Sequence, residues 1–400
     1  MCRTEPTVRR RSQERESEEL IARRVALVLP LLALGGCAIF DDKWSSAGDA
    51  DTAESLPLGE RPVQDPLDPN SFFLESADQD VVGEPQAVFA GEEDTLSDLA
   101  REYGLGYDEI IAANPGVDPW LPGTAAPIIL PTQYVLPSVE RKGVILNIAT
   151  KRLFYFPQPS AGEAQQVLTY PIGIGRVGWE TPLGTTSVVS KARDPSWWVP
   201  ASVRREHAEL GDPLPSVVPP GPDNPLGHRV LKLDMPGYLI HGTNKPYGVG
   251  MRVSHGCVRL YPENIEFLYE LVAVGEHVMI INEPYQFGLG NDSLYFEAHQ
   301  PLEDDEVPAE ERLTLLLDGQ VDAAGQPLAE HLRAQVLSLA ADPSGIPVNV
   351  LQPGRDEYMA RVRVVRNTVE EDPSAPTLAE VREMMDEVEA ELEAEKDGEL

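Results

Sequence analysis

The segment Ser254-His255-Gly256-Cys257-Val258-Arg259-Leu260 sets a thiol two residues from an imidazole, and a second imidazole, His241, lies sixteen residues upstream in Ile240-His241-Gly242-Thr243. A thiol attacks as its thiolate, and a free cysteine titrates near 8.5. Near neutral pH it therefore needs a histidine to take its proton or to pair with its anion. Attack on a carbonyl also creates an oxyanion that needs backbone N–H donors. Gly256 lets the backbone approach, and the N–H groups around Gly256 and Cys257 are natural donors. Spacing and chemistry together predict cysteine-based acyl transfer. Two other readings use the same residues: a zinc site of His241, His255 and Cys257, or an inert buried cysteine among core histidines. Against the first, the segment offers no further cysteine or clear carboxylate, and the spacing is not that of a zinc finger. Against the second, two His-Gly pairs close to one thiol are too concentrated. His207, His228, His277 and the histidines of the tail have no such context and read as structural or surface residues.

The elements that must position these groups are mostly strands. Gly143-Val-Ile-Leu-Asn-Ile-Ala-Thr150-Lys-Arg-Leu-Phe-Tyr-Phe156 reads as two strands with a turn near Thr150, and VLTYPIGIG and TTSVVS continue the β character. GYLIHGTN ends a strand at His241. PENIEFLYELV is a short amphipathic helix with Pro262 at an early position and Ile265, Leu268 and Leu271 or Val272 turned inward. HVMII reads as a closing buried strand. The predicted class is mainly β with short helices.

HG followed by SHGCVR resembles the signature of the L,D-transpeptidase family, also called the YkuD domain. The likeness extends through YPIGIGRVGWETPLGTT, PLPSVVPPGPDNPLG, YLIHGTN, GVGMRVSHGCVRL and NIEFLYELVAVGEHVMIIN, over about residues 88–285. It is nearest to the Gram-negative subgroup that couples outer-membrane lipoprotein to peptidoglycan. The resemblance implies a β-sandwich-like catalytic domain, here 140–285, with Cys257 deep in a cleft and no metal or organic cofactor. It implies attack by Cys257 on the L-centre carbonyl of diaminopimelate in a tetrapeptide stem, release of D-alanine and a thioester. An amine, from a lipoprotein lysine or a second diaminopimelate, then resolves it. Water as acceptor would make a carboxypeptidase, and a silent site would leave a peptidoglycan-binding lipoprotein. His241 is expected to be the base, with Gly242-Thr243 or a backbone carbonyl orienting its ring. His255 and Ser254 are expected to support the loop. Arg259 is expected to meet a substrate carboxylate or to pair with Glu263 or Asp234. Gly242, Tyr238, Asn224 and Gly227 are candidates to line the cleft.

The remainder of the chain sets context. The formal net charge is -34, whereas residues 140–285 are balanced, so the acid lies in the flanks. That excess argues against nucleic-acid binding and reads as solvated surface. Residues 1–36 have the anatomy of a secretory signal: arginines, an apolar run from Val25 to Leu34, then small residues. Leu34-Gly35-Gly36-Cys37 resembles a bacterial lipobox, which implies lipidation at Cys37 and, with Ala38 following, a periplasmic enzyme anchored in the outer membrane. Of the three cysteines, cleavage removes Cys2 and lipidation uses Cys37, so Cys257 stands alone in an oxidising compartment. Residues 37–87 read as an acidic flexible tether. Residues 88–136 read as strand–helix–helix–strand, with Thr95 and Asp98 as a capping box, Gly104 as a stop and a second helix from about Asp108 to Ala113. The pattern DTLSDLA with ANPG resembles a LysM-like peptidoglycan-binding module. Residues 286–400 read as an acidic extension. Within it PLAEHLRAQVLSLA is predicted as a helix, IPVNVL and YMARVRVVRN as strands, and the apolar spacing from Leu378 to Leu392 as a short helix.

Overall fold

The computed structural model describes residues 56–160, 162–209, 211–290, 293–319, 327–352 and 355–370. The signal segment with Cys37 and the apolar spacing after Pro376 lie outside the described residues.

A nine-stranded sheet forms the centre. Its spatial order is Ser71–Phe73, Gln166–Pro171, Arg152–Phe156, Gly143–Asn147, His277–Ile281, Gly184–Arg193, Arg229–Leu233, Leu239–His241 and Val258–Arg259. The Gly143–Asn147 and Arg152–Phe156 hairpin follows the sequence reading, with Gly143 opposite Phe156 and Asn147 opposite Arg152. All ten of its residues are buried, so both faces of these strands are covered. Two pairings are parallel: His277–Ile281 with Gly143–Asn147, and Leu239–His241 with Val258–Arg259. The Pro262–Leu271 helix starts on Pro262, whose missing N–H costs nothing at a first turn. Its Ile265, Leu268 and Tyr269, with Val272 just after it, enter the same core as Val144, Leu231, Ile240 and Val258. Leu271 is exposed, so Val272 takes the inward position.

Residues 86–130 have the strand–helix–helix–strand order read from the sequence: Gln86–Phe89, Leu96–Glu102, Tyr107–Ala113 and Pro127–Leu130. Thr95 Oγ1 accepts from Asp98 N–H while Asp98 Oδ2 accepts from Thr95 N–H, a reciprocal cap on two orphan donors. Gly104 ends that helix at φ +64. The second helix begins at Tyr107, capped by the Glu109 carboxylate accepting from Gly106 N–H at 2.6 Å.

Three features differ from the sequence reading. Residues 56–87, whose composition reads as a tether, contain elements of the fold from Leu58 onward. Ser71–Phe73 edges the large sheet, and Val81–Gly83 pairs with Gln133–Val135. Short apolar runs, with Leu74 and Val82 buried, are hidden there by the polar average. Tyr358 to Arg361 belong to a helix, Arg355–Arg361, and only Arg363–Val365 is a strand. Tyr358 and Val362 are buried on one side at helical spacing. Arg363–Val365 then runs parallel to Gln86–Phe89 as the third strand of that sheet. Tyr285–Gly290 pairs antiparallel with Ser293–Ala298, Val348–Asn349 joins that pair, and it packs with the Ala309–Gly319 helix, which the sequence reading does not mark, and the Glu330–Ala341 helix.

Candidate active site

The parallel pair at the end of the large sheet builds the site. Ile240 is in register with Val258 and His241 with Arg259. Ile240 and Val258 both point into the core. Strand alternation therefore turns their neighbours Cys257, Arg259 and His241 to the opposite face. One short pairing in register thus sets His241 on the same face of the sheet as Cys257 and Arg259.

His241 is buried, and its Nδ1 lies 2.5 Å from the carbonyl of Gly242. A carbonyl can only accept, so Nδ1 carries the proton and Nε2 keeps its lone pair. Burial, with the Arg259 guanidinium close by, pushes this imidazole down to about 3. Burial thus favours the neutral ring. Cys257 is partly buried, and its Sγ lies 3.6 Å from the carbonyl of Gly237. Burial raises the thiol above its ordinary value, while the Leu239 N–H and Arg259 act in the other direction. Both shifts favour uncharged partners. Burial thus acts against both the thiolate and the imidazolium.

Ser254 and Thr181 hold the backbone of the turn that carries the thiol. Ser254 Oγ, itself buried, donates to the Cys257 carbonyl at 2.5 Å and accepts from Gly256 N–H at 3.1 Å. The Gly256 carbonyl accepts from Thr181 Oγ1. Gly256 has φ +99, and a Cβ there would lie 3.0 Å from the Tyr238 ring, so only glycine fits. The Gly256 N–H, expected at the oxyanion, is instead committed to Ser254.

Several expected residues sit elsewhere. Gly242 is buried against Ile265 and serves as the acceptor that orients His241, not as a wall of the cleft. Asn224 is fully buried, holding its loop through the carbonyls of Pro195 and Pro219 and the N–H of Leu226. Gly227, at φ +63, is held close to Gly242 and Thr243. Tyr238 does lie at the turn, packed on the core and against Gly256. Glu263 pairs with Arg101, not with Arg259. Among the described residues no carboxylate pairs with Arg259, whose Nε is buried without an acceptor. The three zinc-site candidates do not gather: His255 turns away to Glu206, and no group of three or more His, Cys, Asp or Glu among the described residues could hold a metal.

His255 leads to residues that sequence reading missed. Its Nε2 lies 2.9 Å from Glu206 Oε2, on the Ala201–Glu209 helix. Glu206 also pairs with Arg176, and the Trp179 ring packs edge-on against the imidazole at 4.8 Å. Glu206 is 49 residues from its partner inside an ordinary polar helix, and no local pattern marks it.

Residues 141–280 match the family described as YkuD, the L,D-transpeptidase catalytic domain. A protein of Escherichia coli (strain K12) named "Probable L,D-transpeptidase YbiS" is 40% identical over 278 residues, covering 68% of this chain and 88% of that one. The chain belongs to the L,D-transpeptidase family. "Probable L,D-transpeptidase ErfK/SrfK" of Salmonella typhimurium is 40% identical over 236 residues, 58% of this chain and 75% of that protein. "Probable L,D-transpeptidase YcfS" of Escherichia coli is 36% identical over 292 residues, 71% and 89% of the two chains. This L,D-transpeptidase is thus an enzyme whose family match contains His241, the Ser254–Cys257 turn and Arg259.

Proposed function

We propose that Cys257 is the nucleophile of a peptidoglycan L,D-transpeptidase that acts on tetrapeptide stems. The thiol proton passes to His241 Nε2 as Sγ bonds the carbonyl carbon of the diaminopimelate L-centre. The C–N bond to D-alanine then breaks, the leaving amine takes that proton, and a thioester remains. An acceptor amine attacks the thioester, gives up a proton to His241, and frees the thiol. The observation that carries this reading is the neutral, oriented His241 on the face of the sheet shared with Cys257. Since Gly256 N–H is engaged by Ser254, the oxyanion is assigned to the Cys257 N–H. Arg259, whose Nε is buried without an acceptor and which pairs with no carboxylate among the described residues, is assigned to the free carboxylate of the stem.

The acceptor is either a lysine of an outer-membrane lipoprotein or the side-chain amine of a second diaminopimelate, and the resemblance to the lipoprotein-coupling subgroup favours the lysine. Lipidation at Cys37 in the periplasm, and glycan binding by residues 88–136, belong to the same proposal. The test incubates the purified enzyme with a tetrapeptide stem alone, with a lysine-bearing peptide, and with a second stem. Mass spectrometry then reads the products. A stem–lysine conjugate supports protein anchoring. A hydrolysed tripeptide as the sole product in every mixture would instead mean water is the acceptor.

A further inference from the structure

The residue between Ser254 and Gly256 is the one part of the nucleophile's turn that the turn itself does not hold. Ser254 Oγ ties Gly256 and Cys257, and Thr181 ties the Gly256 carbonyl, but the His255 side chain projects away. Trp179 packs edge-on against it, and its carboxylate partner comes from the Ala201–Glu209 helix, which belongs to the long excursion between the Gly184–Arg193 and Arg229–Leu233 strands. Only Val203 of that helix is buried. Its side-chain bonds to the nucleophile's surroundings come from one residue. Glu206 receives Arg176 on one oxygen and His255 Nε2 on the other. Arg176 Nη2 also lies 3.2 Å from His255 Nε2. An ionised carboxylate only accepts, so both Nη2 and Nε2–H point their hydrogens at it. The Arg176 backbone N–H donates to the Ser254 carbonyl, so the guanidinium that locks Glu206 is anchored to the same turn.

We propose that Glu206 is a positioning residue of the transpeptidase reaction: its carboxylate fixes His255, and through it the turn that aims the Cys257 thiol. The three-group lock of Arg176, Glu206 and His255 joins the excursion helix to the nucleophile across a gap that backbone hydrogen bonds do not span. Without the carboxylate, His255 Nε2–H loses its acceptor, and the ring is free to turn or to change tautomer toward Arg176. The thiol then samples orientations away from the substrate carbonyl, and a displacement of about 1 Å at a reacting atom can cost roughly 100-fold in rate. All three side chains remain partly exposed, at 39%, 26% and 24% for Arg176, Glu206 and His255, so the lock is too solvated to carry the fold.

The inference rests on Cys257 being the nucleophile. Single-turnover acylation by a tetrapeptide stem is measured for the full chain, for Glu206→Ala, for Glu206→Gln and for Cys257→Ala, beside thermal midpoints. Glu206→Ala is expected to lower the acylation rate at saturating stem by on the order of 10-fold or more, with little change in KM and in the midpoint. Glu206→Gln, whose amide oxygen still accepts from His255 Nε2, recovers most of the rate. The inference is overturned if Glu206→Ala acylates at the rate of the parent, or if both variants lose the same activity in step with a falling midpoint. Release of D-alanine by Cys257→Ala would instead overturn the nucleophile assignment, whatever Glu206 does.

Discussion

Burial disfavours the charged form of both His241 and Cys257, because it costs an isolated charge more than its neighbours return. In the proposed mechanism the proton therefore moves during attack, to His241 as general base. His241→Ala is expected to lower acylation by about 10²- to 10⁴-fold. His255→Ala leaves the base in place and falls less. The base titrates near 3 rather than 6.5, so the acid limb of kcat/KM for acylation should show no inflection near 6.5. A bell with an acid pKa there would contradict the neutral-base assignment. The same shift has a sign for stability. The unfolded imidazole gains a proton near 6.5 that the folded one refuses until about 3, so acidification through that window lowers folding stability. Arg259 is the second residue whose environment speaks. Arg259→Lys keeps the charge but loses the fork, and is expected to raise KM for a stem bearing the free diaminopimelate carboxylate. An amidated stem should show no such penalty. Equal penalties on both stems would remove Arg259 from substrate binding. The cysteine, both histidines and the serine were legible in the sequence because their chemistry is local. The sequence reading expects a backbone carbonyl or Gly242-Thr243 to orient the His241 ring, and the Gly242 carbonyl does so; the commitment of Gly256 N–H to Ser254 depends on peptide orientation that no spacing encodes.

At the scale of elements, the first helix of residues 86–130 was legible to its cap because Thr95 and Asp98 act within one turn. What the sequence did not disclose is how this unit is fastened to the catalytic sheet. Arg152 on the central hairpin and Glu109 on the second helix form a buried two-pronged pair, with both bonds at 2.7 Å. Arg152 also donates to the Gly104 carbonyl and lies 4.1 Å over the Tyr134 ring. Neither residue has a sequence neighbour that would betray its partner, 43 positions away. Breaking such a pair strands a buried charge, at about 3–5 kcal/mol. Arg152→Met alone is expected to lower unfolding free energy by that amount in a denaturant titration. Arg152→Met with Glu109→Leu should return much of it. A single variant within ~1 kcal/mol of the parent would show that the charges are not desolvated.

Across the whole molecule, the ends of the described chain meet. Arg363–Val365 completes the sheet of Gln86–Phe89, the Arg366 carbonyl accepts from Tyr103 OH, and Asn367 donates to Asp94. Arg61 reaches the carbonyls of Met359 and Val362. Such pairings over nearly 300 residues leave no local trace. Acidic composition in both flanks instead read as tether and extension. Removing residues 363–400 takes Val365 out of a buried cluster with Leu96, Leu99 and Ile128 and bares the strand edge of Gln86–Phe89. The truncated chain is expected to expose residues 86–130 to faster hydrogen exchange, while the central hairpin keeps its protection. Unchanged exchange in that region would mean that the added strand contributes nothing to it. The catalytic sheet was the most readable part, because its strands are short apolar runs bounded by Gly and Pro and its signature is contiguous.

The central claim is that Cys257 carries the acyl group. The direct measurement is peptide mapping by mass spectrometry after the enzyme is mixed with a tetrapeptide stem and quenched in acid. The expected result is a tripeptide acyl adduct on the peptide containing Cys257, one free D-alanine per adduct, and neither product from Cys257→Ala. Release of D-alanine that persists in Cys257→Ala, or an adduct on any other residue, would contradict it.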